Sequence, residues 1–495
     1  MLSIPNPTAN SVSLISERRV NAAIDHSFIW NGFLFCEKAE SLKGLSLLGK
    51  IFKDRLKPAQ IIVLFYVVAV FLSASLLSLP IAHKPGVHLS FLDVVFTAVS
   101  AVSVTGLTVV STPDTFSTPG IFILIFILQF GGIGIMTLGT FFWLLLRRKI
   151  GLKDRQLIMT DQNQSHLSGL VKLMRQILSI ILVIEFFGAI ILGTYFLAYF
   201  PTWQEAYLQG MFAAVSATTN AGFDITGSSL IPFANDYFVQ TVNILLLTLG
   251  AIGFPVLIET KEFIFNRKTK KRAHFSLYTK LTTLTFFFLM FFGTIMILLF
   301  EFNHFFKELS WHESFFYAWF QSSTTRNGGL ATMNVSDFTD PTLFLLIFLM
   351  FIGASPSSVG GGIRTTTFAV IILLIYTFSK GHNSIKIFGR EIHEEDIRKS
   401  VVVSFLAIIL CFAATTILTS TENFTTMEIM FEVSSAFGTT GLSMGITPEL
   451  SPIGKTIIIL LMFIGRIGIL SFIFLFNRGE IEPKCHYPKE RLIVG

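Results

Sequence analysis

A twelve-residue pattern that returns along an otherwise apolar chain limits the fold more than any other feature of this sequence. Phe96 to Leu107 reads FTAVSAVSVTGL, Phe212 to Phe223 reads FAAVSATTNAGF, and Phe431 to Leu442 reads FEVSSAFGTTGL. Each sets a Ser four residues after a Phe and a Gly six residues further on: Phe96/Ser100/Gly106, Phe212/Ser216/Gly222 and Phe431/Ser435/Gly441. A looser copy, Tyr317 to Leu330 (YAWFQSSTTRNGGL), carries Ser322 and Gly329 with one extra residue between them. Spacings of roughly a hundred residues are too long for a solenoid and mark duplicated structural units. Each copy begins near an acid (Asp93, Glu205, Glu313, Glu428), runs through a short apolar stretch and ends in Thr, Asn and Gly. That length cannot cross a bilayer and suits a re-entrant half-helix with a polar loop at its tip.

Between these segments the chain is membrane-like. It is 52% hydrophobic and 14% charged with mean hydropathy +0.68, where a soluble domain carries about a quarter of its residues charged. Apolar spans cover 59–80, 119–146, 173–200, 237–260, 280–302, 341–379, 401–420 and 453–476, and 341–379 is too long for one unbroken helix. The short segments fall between spans one and two, three and four, five and six, and seven and eight. The expected fold is therefore an all-α membrane protein of four membrane-pore-membrane repeats, with eight transmembrane helices and four re-entrant pore helices around a pseudo-fourfold pore. The repeats cover 58–150, 151–270, 271–395 and 396–478, preceded by an N-terminal region, 1–57, and followed by a tail, 479–495. Region 1–57 shows no signal peptide, and its stretch 45–56 reads either as a basic amphipathic helix or as part of a flexible tail.

Lys and Arg give the orientation. The links between repeats hold nineteen, while the regions around the half-helices hold Lys84, Lys307 and Arg326. This places the links and both termini in the cytoplasm and the glycine tips near the outer face. Net charge of +6 thus reads as membrane orientation rather than nucleic-acid binding. Cys36, Cys411 and Cys485 show no metal or redox spacing.

Half-helices arranged around one axis direct their partially negative C-terminal ends to its centre. A ring of backbone carbonyls there replaces the hydration shell of a cation, and glycine permits the close approach. The bland alternative is that these glycines only let helices pack closely. Ile352 to Thr367, IGASPSSVGGGIRTTT, cannot sustain a helix and reads as a gate or as a structural kink. On this reading only the third repeat is interrupted. Arg466 in the eighth span needs an interior partner, and carbonyls of Gly360 to Gly362 are the candidates. Glu185 reads as structural, and Arg326 reads either as a tie for the third loop or as a charge at the pore mouth. Gly131-Gly132-Ile133-Gly134 lies inside an apolar span and is not a nucleotide fingerprint. No other nucleotide signature is present, so membrane voltage is the expected driving force. No cluster of His, Asp, Glu or Cys suggests an enzyme.

The motifs VSVTGL, SATTNAGF, STTRNGGL, FGTTGL, GASPSSVGGGIRTTT and FIGRIG, spread over Pro58 to Arg478, resemble those of the Trk/Ktr/HKT superfamily of potassium transporters, and within it the KtrB/TrkH-type membrane subunit. The resemblance implies potassium uptake through a selectivity filter formed by Val104, Thr105 and Gly106, by Asn220, Ala221 and Gly222, by Asn327, Gly328 and Gly329, and by Thr439, Thr440 and Gly441. It implies an intramembrane gate at Gly360, Gly361 and Gly362, with Arg466 beside it. It also implies a homodimer in the bacterial inner membrane, a cytoplasmic nucleotide-binding regulatory subunit of RCK type, surrounding lipid, potassium as substrate with sodium as a candidate activator, and no covalent cofactor. Gly106, where sodium-selective plant relatives carry serine, favours potassium. The third loop has Asn-Gly-Gly-Leu where Thr-Ala-Gly-Phe is common, which leaves a sodium or mixed monovalent-cation transporter as the alternative.

Overall fold

The structure is a computed structural model, and it describes residues 58–134, 155, 156, 159, 169–265 and 275–475. The chain divides into 1–57 and 58–495, and all described residues belong to the second unit. Readings that fall on 1–57 and 479–495, including the helix at 45–56, lie outside the described residues.

Every half-helix starts with the same device. Ser90, Thr202, Ser310 and Thr425 are N-caps whose side chains accept from the backbone N–H of Asp93, Glu205, Glu313 and Glu428. In the last two the acid also reaches back to the N-cap backbone, completing a capping box. The acid seen at the head of each repeated motif is thus the third residue of its helix, where its charge also complements the helix dipole. The pore helices that follow are α2 (Phe91–Ser103), α5 (Trp203–Thr218), α9 (Trp311–Thr324) and α13 (Thr426–Gly438).

The first spans are continuous: α1 (Pro58–Leu77), α4 (Leu170–Phe196), α8 (Leu277–Glu301) and α12 (Glu394–Thr421). These four are the described helices long and apolar enough to cross a membrane unbroken. Their outward rings, Phe71, Phe186, Phe288 and Phe412 among them, are more than half exposed, as lipid-facing residues are.

The second spans correct the expectation that only the third repeat is interrupted. They are α3 (Thr118–Ile133), α6 with α7 (Tyr237–Ala251 and Phe254–Phe265), α10 with α11 (Asp340–Phe351 and Thr365–Ser379), and α14 with α15 (Pro452–Ile467 and Ile469–Phe474). Gly134, Gly253 and Gly468 sit at these ends with φ of +90°, +104° and +91°, a conformation open to glycine. The bend between α6 and α7 is 104°. Repeat 3 differs in inserting a whole loop, 352–364, at its break, and a hairpin of two-residue strands (Lys386–Ile387 and Arg390–Glu391) then leads to α12.

The breaks follow from close packing. Three residues before each glycine lies another, Gly131, Gly250 or Gly465, pressed on the end of its own pore helix. A Cβ there would lie 2.6 Å from the Val102 carbonyl, 2.1 Å from that of Thr218 and 2.1 Å from that of Phe437. Those carbonyls belong to matched positions, two residues after Ser100, Ser216 and Ser435. The run Gly131-Gly132-Ile133-Gly134 supplies one of these contacts through Gly131.

The ring closes on itself. Each pore helix packs against the second span of the preceding repeat: α5 on α3, α9 on α6, α13 on α10, and α2 on α14. Each joint has a buried core. Phe212 fills that between repeats 1 and 2, Phe431 that between 3 and 4, and Phe96 that between 4 and 1. Between repeats 2 and 3 the residue is Phe320, not the motif's Tyr317, which faces the next joint; the extra residue shifts the register. An ion pair adds to the last closure, Lys455 Nζ to Asp93 Oδ1 at 2.9 Å. Lys455 is thus a fourth basic residue on the capped face.

Packing this tight makes a direct prediction. Gly250→Ala places a methyl group against a helix-terminal carbonyl that cannot retreat, and overpacking of this kind costs about 1–3 kcal/mol. Thermal inactivation of the solubilised protein should shift down by several degrees; an unchanged midpoint would show that α6 does not bear on the Thr218 carbonyl.

Candidate functional site

The four loops after the pore helices share one backbone path. Their first residues, Val104, Asn220, Asn327 and Thr439, are left-handed at φ 57°, 54°, 76° and 51°. Their last, Gly106, Gly222, Gly329 and Gly441, have φ of +93°, +67°, +70° and +93°. The middle residues Thr105, Ala221, Gly328 and Thr440 are not left-handed. Such alternation brings successive carbonyls to one side of the chain instead of to both, as in a strand.

These loops meet in a ring. A Cβ on Gly106 would lie 2.6 Å from the Ala221 carbonyl, one on Gly222 2.9 Å from Gly329 Cα, one on Gly329 2.5 Å from the Thr440 carbonyl, and one on Gly441 2.1 Å from the Thr105 carbonyl. The order is cyclic, each loop against the next. Side chains are excluded at all four positions by space as well as by φ.

Each loop hangs from its own pore helix. The N–H groups of Thr105, Ala221 and Thr440 donate to the carbonyls of Ser100, Ser216 and Ser435 at 2.8–2.9 Å. The hydroxyls of Ser100 and Ser435 accept from the N–H of Gly106 and Gly441 (3.2 and 3.0 Å), and Ser216 donates to the Phe223 carbonyl at 2.6 Å. The third loop departs from this pattern. Ser322 turns away to the Met290 carbonyl in α8, while Thr324 holds the Leu330 carbonyl at 2.6 Å. Arg326 is 1% exposed and donates to the Leu349 carbonyl at the end of α10. It is a tie, not a charge at the mouth. Asn327 Nδ2 donates to the carbonyls of Gly438 and Thr439 (2.6 and 2.8 Å) and to Thr439 Oγ1 (2.8 Å), joining loop three to loop four.

Loop 352–364 lies directly against this ring. A Cβ on Gly360 would meet Asn327, and one on Gly361 would meet Thr439 Oγ1 and the Gly465 carbonyl. The Gly361 N–H donates to Thr439 Oγ1 at 2.8 Å. Other bonds fix the loop to the broken second spans: Ser355 N–H to the Ala251 carbonyl (3.1 Å), Phe254 N–H to Ser357 (2.8 Å) and Gly362 N–H to Gly465 (3.3 Å). Arg466, 7% exposed, donates through Nη1 to the Val359 carbonyl and through Nη2 to that of Gly131. This corrects the expected partners: the carbonyls are those of Val359, one residue before Gly360, and of Gly131 in α3, not those of Gly360 to Gly362. Arg364, which sequence reasoning passed over, donates to the Gly360 carbonyl from within the loop. Its position beside the triple glycine was the available signal. Glu185 gains a partner in Gln129 Nε2 at 2.5 Å, between α4 and α3.

Two cavities flank this arrangement. One, of about 360 Å³, is lined by Gly106, Gly222, Gly329 and Gly441 together with Asp224 and Asp337. The other, of about 140 Å³, lies beyond the loop and is lined by Gly362, Arg364 and Arg466 and by the break glycines Gly134 and Gly468. The first carries carboxylates, the second guanidinium groups.

Comparison with known proteins agrees with this architecture. The family model described as TrkH, cation transport protein, matches residues 29–482. The chain is 60% identical over 447 residues to the Ktr system potassium uptake protein D of Bacillus subtilis, covering 90% of this chain and 99% of the relative. It is 33% identical to the potassium/sodium uptake protein NtpJ of Enterococcus hirae (91% of this chain, 100% of the relative) and 34% identical to the Ktr system potassium uptake protein B of Bacillus subtilis (89% and 97%). The crystal structure of the potassium transporter TrkH from Vibrio parahaemolyticus has the same fold, with a TM-score of 0.69 at 18% identity over 86% of each chain. With four pore helices, second spans broken in repeats 2, 3 and 4, and a closed ring of glycines, this multi-pass membrane protein belongs to the TrkH family of cation transport proteins.

Proposed function

We propose that this chain is the conducting membrane subunit of a potassium uptake system, in which the ring of Gly106, Gly222, Gly329 and Gly441 selects the ion and loop 352–364 gates the path below it. The observation that carries the reading is the closed ring, because backbone held in this form offers carbonyls and nothing else to a dehydrated cation. The names of the relatives at 60% and 34% identity support potassium as the ion. Those names also refer to a system, which supports a multi-component assembly; a cytoplasmic nucleotide-binding regulatory subunit and a homodimer are our proposals for its other parts. The Lys/Arg-rich links support an orientation with the loop side in the cytoplasm and the capped face outside. Inward movement then follows the membrane voltage, worth about 2.3 kcal/mol per charge per 100 mV. Sodium as activator remains part of the proposal, and passage of both ions is a second reading. It is favoured by the name of the Enterococcus relative and by the amide of Asn327 in the third loop.

The filter is tested by Gly106→Ser. The added side chain enters space occupied by the Ala221 carbonyl and strains a backbone at φ +93°, so the ring opens at one joint. Growth rescue and uptake at mixed ion concentrations, in a bacterium lacking its own potassium uptake, should show sodium competing where the parent excludes it. Unchanged selectivity would remove Gly106 from the filter.

The gate is tested by Arg466→Ala. Two charge-assisted bonds to Val359 and Gly131 are lost, each worth about 1.5–3 kcal/mol, enough to shift a closed-open balance tenfold or more. Basal flux should rise and dependence on a regulatory partner should fall, with ion preference kept. Deleting Gly360 to Gly362 is a less clean test, because Gly361 is bonded to Thr439 in the ring and selectivity should change as well. An Arg466→Ala protein that reaches the membrane and conducts like the parent would exclude this role.

A further inference from the structure

Glu432 lies in the middle of pore helix α13 and is 1% exposed, yet no cation is paired with it among the described residues. Its equivalents one place after the aromatic that fills each joint are Thr97, Ala213 and, in the shifted register of repeat 3, Gln321, so this position carries an ionisable group in repeat 4 and uncharged residues in the others. Oε1 accepts from Thr447 Oγ1, and Oε2 is buried without a hydrogen-bond partner. Thr447 Oγ1 is 3.0 Å from Ser443 Oγ, and Ser443 in turn accepts from the Gly445 N–H and lines the cavity that contains the four glycines. Since Thr447 gives its hydrogen to the carboxylate, it receives that of Ser443. The three groups form a directed chain from the outer cavity to the buried acid.

Nearby charges are engaged or remote. On α13 itself, Glu428 caps the helix. Glu422 at the end of α12 accepts from Ser451, Lys455 of α14 is paired with Asp93, and Arg466 is held at the other end of that helix. Asp340 of α10 and Glu449 beyond Thr447 are exposed. An ionisable residue buried at membrane depth and left without a counter-charge is costly, and is retained where its charge has a use.

We propose that Glu432 is a proton-binding site, filled from the outer cavity through Ser443 and Thr447, whose charge sets the affinity for external potassium. A hydronium ion in the cavity protonates Ser443 Oγ as the Ser443 hydrogen passes to Thr447 Oγ1 and the Thr447 hydrogen passes to Glu432 Oε1; three O–H bonds form, three break, a neutral water is left in the cavity, and one positive charge is taken up. With the carboxylate charged, the entrance is more negative and holds potassium more firmly. Proton and potassium are then linked competitors, each weakening the other by the same factor. The inference rests on the filter reading, but the two fail separately: Gly106→Ser is read in ion preference, whereas Glu432 is read in a pH profile.

The test is potassium uptake by cells at external pH between about 5.5 and about 8. The parent's KM for external potassium should rise about fivefold or more toward acid pH, with Vmax changing less. Glu432→Gln should show the high KM at every pH and a flat profile. Thr447→Val removes a donor to the charged form and should move the midpoint to higher pH; this variant decides the matter if Glu432→Gln does not reach the membrane. A parent KM that ignores pH, a Glu432→Gln protein that keeps the parent's profile, or a midpoint unmoved by Thr447→Val would each overturn the assignment.

Discussion

Irregular backbone cannot stand at membrane depth unless the protein itself satisfies its polar groups, and four such segments have to be satisfied here at one point. The rest of the fold serves that requirement. Each loop keeps its middle N–H on its own pore helix, leaving its carbonyls to face the neighbours. The pore helices are fixed at the far end by capped N-termini and at the near end by glycines of the second spans. Replacing any of those glycines pushes on a pore-helix carbonyl, and through it on the loop that the same turn supports. In repeats 2 and 4 the second span breaks three residues later because the chain that has come this close cannot continue straight past the loop below.

The third repeat shows how much departure this scheme tolerates. One extra residue separates its serine from its glycine, and the support is rebuilt from other groups. Thr324 replaces the repeated serine, Phe320 replaces the repeated aromatic at the joint, and Arg326 anchors the turn to α10. Asn327 accepts a left-handed φ, which asparagine tolerates better than most residues, and spends its amide on the neighbouring loop. The irregular repeat is also the one that supplies loop 352–364, and its glycine loop and loop 352–364 lie in contact.

Much of this was legible in the sequence because it is local. The Phe-Ser-Gly spacing gave the four pore helices, the acid at the head of each copy belongs to a helix cap, and the triple glycine cannot be helical. The interruption of the second spans of repeats 2 and 4 was missed, although the Gly-x-x-Gly spacing of Gly250/Gly253 and Gly465/Gly468 is in the chain. Within an apolar run of the right length, glycine is tolerated in spanning helices, and nothing local shows that a carbonyl from another helix stands 2–3 Å from the missing side chain. The partners of Arg326, Asn327 and Arg466 are contacts across 23, 111 and 107 residues, which no periodicity reports. Glu432 was overlooked because its position in the motif is otherwise filled by uncharged residues, and the hydroxyls that reach it come from the following loop.

Loop 352–364 is joined to the ring and to the second spans by bonds of unequal strength. To the ring it gives one neutral hydrogen bond, Gly361 N–H to Thr439 Oγ1, worth about 0.5–1.5 kcal/mol, and a close approach of Gly360 to Asn327. To the second spans it is held by one charge-assisted bond of about 1.5–3 kcal/mol, from Arg466 to the Val359 carbonyl, and by backbone bonds to Ala251, Phe254 and Gly465. The stronger set therefore decides where the loop sits. Its displacement requires the glycine breaks at the ends of α6 and α14 to move or Arg466 to change partners. The ring loses a single bond in the process, and Thr439 keeps the Asn327 amide. A loop held mainly from below can leave the path without dismantling the carbonyl ring above it.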